Sequence, residues 1–169
     1  MKTFWNEMTI ATSDNNLVSH DPKLKQFVGQ FDLFSIHDLT EKFQALTRES
    51  GIRNGILTAQ SLHTTTIISV NELDEPMLVM DIHRALTQIA PRVHDYLHNS
   101  PLRTKNRCED DNRCDRNADA HIKAFVTGGP IAQLLVRDGE LVLGRWQRIS
   151  FIDFDGPRDR KVLLQIMGE

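Results

Sequence analysis

Ile131-Ala132-Gln133-Leu134-Leu135-Val136-Arg137-Asp138-Gly139-Glu140-Leu141-Val142-Leu143 is a pair of strand-like runs joined by Asp-Gly. That dipeptide favours a tight hairpin, because both central turn positions need a positive φ. Trp146–Phe154 and Lys161–Met167 repeat the pattern around Asp155-Gly156-Pro157, which predicts a second hairpin. Strands that pair with chain neighbours, without regular β-α-β alternation, define an α+β fold on an antiparallel sheet or two-sheet β-sandwich.

Further upstream, Trp5–Ala11 sets Met8 and Ile10 against Glu7 and Thr9, the alternation of a first strand. Residues 12–30 are polar and broken by Pro22 and Gly29, a loop with room for a short helical turn, and Phe31–Ile36 reads as a second strand. Ser35-Ile36-His37-Asp38 offers a capping signal for a helix carrying Leu39, Phe43 and Leu46, with Gly51 as its stop. Ile56–Leu62 and Thr65–Val70 read as a strand or strand pair carrying His63. Met77–Ala90 is the longest expected helix, with Leu78, Ile82, Ala85 and Ile89 on its apolar face, and Pro91 opens a further helical segment to about His98. Asn99–Arg116 is a long polar loop. Ala118–Val126 is a short helix with Asn117 as N-cap and Gly128-Gly129 at its end.

The chain has 169 residues, is 40% apolar and 25% charged, and reads as one globular domain spanning 1–169. A net charge of −3 argues against nucleic acid or an anionic membrane as partner. No run of about 18 apolar residues is present, which excludes a transmembrane helix. The N-terminus shows no apolar core of a signal peptide, so the expected compartment is the cytoplasm. Cys108 and Cys114 read as free thiols in a polar loop, with metal and redox roles as the alternatives.

Chemistry gathers in a few places. His63 lies at a strand end, on a face shared with Leu57, Ala59 and Ser61, and a satisfied structural histidine is its competing reading. His121, beside Ile122 and Phe125, leans toward the apolar side of its helix, and a half-buried imidazole needs a partner for each nitrogen. His98 sits where helix gives way to loop, while His83 and His94 read as solvated helix residues and His20 and His37 carry no signal. Glu72 and Asp81 flank the start of the long helix, where acids also serve the helix dipole. Three imidazoles with carboxylates suit zinc or another divalent ion, although no HxH or HExxH spacing links them. Arg158 and Arg160 match phosphate geometry, Lys123 and the amides near Gly128-Gly129 are further anion contacts, and Trp146-Gln147 forms either a ligand platform or a core strand.

Together, His63-Thr64, Asn71-Glu72, Pro76, Asp81, Tyr96-x-His98, Asn117-x-x-x-His121-Ile122-Lys123, Gly139, Gly144-x-Trp146-Gln147 and Gly156-Pro157-Arg158-x-Arg160 form an ordered series. From about Trp5 to Gly168 it resembles the YjbQ family, whose members are often labelled secondary thiamine-phosphate synthase enzymes. The resemblance implies a homotrimer with sites near subunit contacts. The implied activity joins a pyrimidine diphosphate to a thiazole phosphate and releases pyrophosphate, leaving a carbocation-like pyrimidine on the way. It places His63, His98 and His121 as ligands of a divalent metal (Zn or Mg), and Glu72 and Asp81 as the recurring acids in the catalytic role. Lys123, Trp146, Gln147, Arg158 and Arg160 are the expected substrate contacts. A metal-dependent hydrolase of small phosphorylated substrates, and a non-catalytic metal- or ligand-binding trimer, stand as alternatives. Glu75 replaces the family's frequent Asp before Pro76, the 12–30 segment is longer than usual, and the cysteine-containing loop is distinctive.

Overall fold

Ile67 and Ile68 are neighbours in the chain yet sit in different apolar cores. Side chains of a strand alternate between its two faces, so their strand must be covered on both. The computed structural model describes residues 1–12, 17–27, 34–105, 107 and 115–169, so Cys108, Cys114 and the stretch 31–33 of the expected second strand lie outside the described residues.

The strands are β1 (Lys2–Ala11), β2 (Ser35–Asp38), β3 (Gly55–Ser61), β4 (Thr66–Asn71), β5 (Ile131–Arg137), β6 (Glu140–Leu141), β7 (Arg148–Asp153) and β8 (Asp159–Gly168). The helices are the single turn α1 (Leu17–His20), α2 (Thr40–Glu49), α3 (Pro76–Ile89) and α4 (Ala118–Val126). All pairings are antiparallel, in a five-stranded sheet of order β1-β8-β3-β5-β6 and a three-stranded sheet of order β2-β7-β4. One core lies between the two sheets and under α2, around Phe43, Leu57, Ile68, Phe151 and Leu164. The second packs the other face of the small sheet against α3 and α4, through Ile36, Ile67, Ile152, Val79 and Ala124. The fold is α+β with two antiparallel sheets, and among the described residues no helix is long and apolar enough to cross a membrane.

The β5–β6 hairpin forms as expected, with Asp138 at φ 55° and Gly139 at φ 84°. Gly51, at φ 63°, ends α2. The second hairpin does not form. β7 pairs with β2 and β4, whereas β8 pairs with β1 and β3, so Asp155-Gly156-Pro157 is a corner between sheets. β3 and β4 likewise belong to different sheets, and His63 lies in the corner between them. The helical segment expected after Pro91 reduces to a 3-10 turn at Leu97–Asn99. Ser35–Asp38 is strand β2, and from it Asp38 Oδ1 accepts the amide of Thr40 at 2.9 Å at the start of α2. Glu75, the departure from the family pattern, caps α3 by accepting the amides of Met77 (3.1 Å) and Leu78 (2.6 Å).

The face of α3 that is buried carries Val79, Met80, His83 and Leu86 rather than the expected stripe, which corrects the reading of His83 as solvated. Its imidazole is fully buried against Phe34, with ring centroids 3.9 Å apart, and neither nitrogen has a partner. Burial and then nearby Lys123 hold it neutral, moving its pKa from 6.5 down to about 4. Between those values the unfolded chain binds a proton that the folded one does not. Stability is therefore fully present above pH 6.5 and falls by up to about 3 kcal/mol as pH drops to 4. His83→Leu should flatten urea-melt stability across this window. An unaltered slope would show that His83 is not its source.

Candidate functional site

The two corners between sheets lie against each other. Leu62 N–H donates to Lys161 O at 3.0 Å, Phe154 N–H to Thr65 O at 3.1 Å, and the hydroxyls of Ser61 and Thr66 are hydrogen-bonded. Beneath them Arg160 makes a two-point pair with Asp153, Nε to Oδ2 and Nη2 to Oδ1, each 2.8 Å. Asp153 also accepts from Thr12 Oγ1 at 2.9 Å and from the Asp155 amide at 3.0 Å. Gly156 is required here by space, since a Cβ would stand 2.8 Å from Thr12 Oγ1 and 2.9 Å from Asp153 Oδ2.

This frame holds His63. Its Nε2 accepts the backbone amide of Lys161 at 2.8 Å. A neutral imidazole has one acceptor nitrogen, so Nδ1 carries the proton and can only donate. Burial, then the Arg160 guanidinium, keeps the ring below its usual pKa, with Asp153 opposing. His63 as held here presents a hydrogen-bond donor to its surroundings, and the bond to the Lys161 amide occupies the nitrogen that a metal would take.

His63 and His121 line one open cleft of about 730 Å³. Its polar wall adds Ser61, Thr64 and Thr66, and its apolar wall Leu62, Ile122, Phe125 and Pro130. α4 supplies His121 and Phe125 one turn apart, and Gly128 and Gly129 at positive φ let the chain turn from α4 into β5. His98 comes up beside His121, ring centroids 5.2 Å apart and 75° between planes, and its Nε2 is buried without a partner. Burial, and then His98, lowers the pKa of His121, against Asp155 and Asp119. His121 thus stays neutral on the wall of the cleft, with the unpartnered Nε2 of His98 beside it.

The other expected site residues scatter. Asn71 pairs with Arg148 and Thr66 with Asp153, so Glu72 and the Trp146-Gln147 turn lie at the far end of the small sheet from His63, about 17 Å along the strands. There Gln147 Oε1 accepts the Gly144 amide at 2.7 Å and Arg145 stacks on Trp146 at 4.7 Å, which makes a locally closed turn. Asp81 stands on the exposed side of α3. Lys123 is buried in an ion pair with Asp119 at 2.8 Å, and Arg160 in its pair with Asp153. Neither offers a free charge to a ligand. Arg158 remains at the surface, against Asp115 (3.0 Å) and Asp155 (3.5 Å). Sequence reading missed Asp155, which accepts from Asn117 Nδ2 at 2.8 Å, and Asn99, whose Oδ1 takes the first amide of α4 at 3.1 Å in place of the expected Asn117 cap.

For a metal the fit is partial. His98 and His121 bring together two imidazoles, a ligand type that a borderline divalent ion takes. Among the described residues no group of three or more His, Cys, Asp or Glu is placed to hold an ion, so further donors must come from outside this set.

An antiparallel two-sheet α+β protein with an imidazole-walled cleft is the class that fold and site define. The family description "UPF0047 protein YjbQ-like" matches residues 30–169, and the chain belongs to this family. It is 36% identical over 132 residues to a UPF0047 protein of Methanothermobacter thermautotrophicus, covering 78% of this chain and 82% of that one. It is 31% identical to the UPF0047 protein YugU of Bacillus subtilis, covering 78% and 88%. A crystal structure of a YbjQ-like protein of unknown function from Sulfolobus solfataricus matches at TM-score 0.74 and 27% identity, over 99% of both chains. A Clostridium acetobutylicum structure of the YjbQ/UPF0047 family matches at 0.71 and 31% identity, over 96% of this chain and 99% of that one.

Proposed function

We propose that this protein is a cytoplasmic, homotrimeric, metal-assisted enzyme acting on a small phosphorylated substrate. The named activity we assign for test is thiamine-phosphate synthesis, in which a pyrimidine diphosphate and a thiazole phosphate combine and pyrophosphate leaves. The observation that carries this reading is the His98–His121 pair: His121 lines a cleft with an apolar wall, and beside it the Nε2 of His98 is buried without a partner. His98 and His121 are the residues to hold a divalent ion, Zn²⁺ or Mg²⁺, which when bound supplies positive charge against a phosphate or a leaving group. Leu62, Ile122 and Phe125 take a flat heterocycle, and the Nδ1–H of His63 donates to a substrate oxygen. A trimer is supported by the apolar side chains left on the outer face of the large sheet, among them Ile56, Ile131 and Leu135, and by Phe125, which is 88% exposed in one chain.

The test mixes purified protein, divalent metal and both thiamine precursors and follows pyrophosphate. Release should require both precursors and fall at least about 100-fold in His121→Ala. Phosphate released from a single phosphoester, with no pyrophosphate from the pair, would instead identify a metal-dependent hydrolase.

A further inference from the structure

Near the start of α4 lies a second, polar cleft of about 260 Å³, lined by Arg92, Asp115, Arg116, Asn117, Asp155 and Arg158. Its acids are already committed. Arg158 contacts both carboxylates, and Asn117 Nδ2 donates to Asp155. Arg92 and Arg116 are exposed and have no ionic or hydrogen-bonding partner among the described residues. Among the described residues, two guanidiniums without a partner therefore line a cavity whose two carboxylates are already paired.

The backbone adds to this field. Asn117 is the N-cap of the nine-residue helix α4, so the positive end of that helix opens on the same cleft. Asn99 Oδ1 takes the first amide of that end, and Asn117 makes no side-chain cap bond there. His121 stands one helical turn along, about 6 Å in rise. Arg116 also lines a small cavity shared with His98. Arg116 thus links the polar cleft to the imidazole pair.

We infer that Arg92 and Arg116 bind the diphosphate group of a substrate, with the cleft at the start of α4 as its seat. Guanidinium forks match phosphoryl oxygens two at a time, and two of them suit a diphosphate better than a single phosphate. The inference rests on the phosphorylated-substrate reading above and sharpens it. It moves anion recognition from Arg160, which is buried and paired, to two arginines that the ordered motifs do not contain. It also orients the substrate, with diphosphate at the start of α4 and the ring against Phe125.

The test is a calorimetric titration of the full chain with inorganic pyrophosphate, in EDTA and low salt. Arg92→Glu and Arg116→Glu are compared with Arg137→Glu, the same charge change on the exposed strand β5. Circular dichroism melts confirm that each variant is folded. Each cleft variant should weaken pyrophosphate binding at least tenfold, Arg137→Glu less than threefold, and wild type should bind phosphate at least tenfold more weakly than pyrophosphate. Binding that is absent in wild type at millimolar pyrophosphate, equal for phosphate, or no weaker in Arg92→Glu and Arg116→Glu than in Arg137→Glu overturns the assignment. The titration holds one ligand and no metal, so failure of the two-precursor assay leaves it standing. Turnover with unchanged binding in both cleft variants removes the diphosphate seat and spares the reaction.

Discussion

Arg160→Ala should lower the unfolding free energy by about 3–5 kcal/mol, the cost of leaving a buried charge without its partner. Asp153 is 0% and Arg160 6% exposed, and both oxygens of the carboxylate meet the guanidinium. Removing the guanidinium leaves Asp153 with Thr12 Oγ1 and one backbone amide, and frees Thr65 Oγ1 and Asp155 O from Nη2. These are the bonds that lock the two corners between sheets, so His63 should loosen with them. Urea unfolding measures the loss. A change under about 1 kcal/mol would mean that Arg160 is free for ligand and that its structural assignment is wrong.

The second large effect is expected at Asp119. Its bond to Lys123 joins two side chains 8% and 2% exposed, one turn apart on α4. Asp119→Ala leaves an ammonium in the core beside the unpartnered His83, again at about 3–5 kcal/mol. Lys123→Met should cost less, because Asp119 keeps the first turn of α4, where the helix dipole favours a carboxylate. The double variant Asp119→Leu with Lys123→Met should recover most of the loss. Equal costs for the two single variants in a thermal or urea melt would show that the dipole does not set this asymmetry.

These pairs also mark where the sequence was legible and where it was not. Local signals held. Asp138-Gly139 demanded a tight turn, Gly51 a left-handed stop, and the runs around Phe43 and Ala120 were helices. Asp155-Gly156-Pro157 looked like a hairpin turn because turn chemistry is the same whether the chain reverses within a sheet or crosses to another. The β7 run Ile149–Asp153 is buried throughout, the signature of a strand covered on both faces, and that was the available clue against a hairpin with one wet face. In α3 the apolar stripe was placed one residue off. Val79, His83 and Leu86 stand at helical spacing, so His83 was readable as core once that face was chosen.

The site was legible in its imidazoles and much less so in its charges. His98 and His121 are 23 positions apart and His63 is further still, and no periodicity announces that the fold brings His121 to both. Glu72, Asp81, Trp146 and Gln147 share an ordered series with them, yet an ordered series carries no distances. Lys123, Arg158 and Arg160 looked alike as anion contacts until burial separated Lys123 and Arg160 from Arg158, and Arg92 and Arg116 carried no signal in the sequence. Which nitrogen of His63 is free depends on one backbone amide 98 residues away.

Metal content measured by inductively coupled plasma mass spectrometry, on wild type and on His63→Ala, His98→Ala and His121→Ala after equilibration with Zn²⁺ and desalting, tests the central claim most directly. The account predicts about one ion per chain in wild type and His63→Ala, falling to background in His98→Ala and His121→Ala. Wild type without retained metal, or variants at His98 and His121 that keep it, would contradict the assignment of this imidazole pair as the centre of the site.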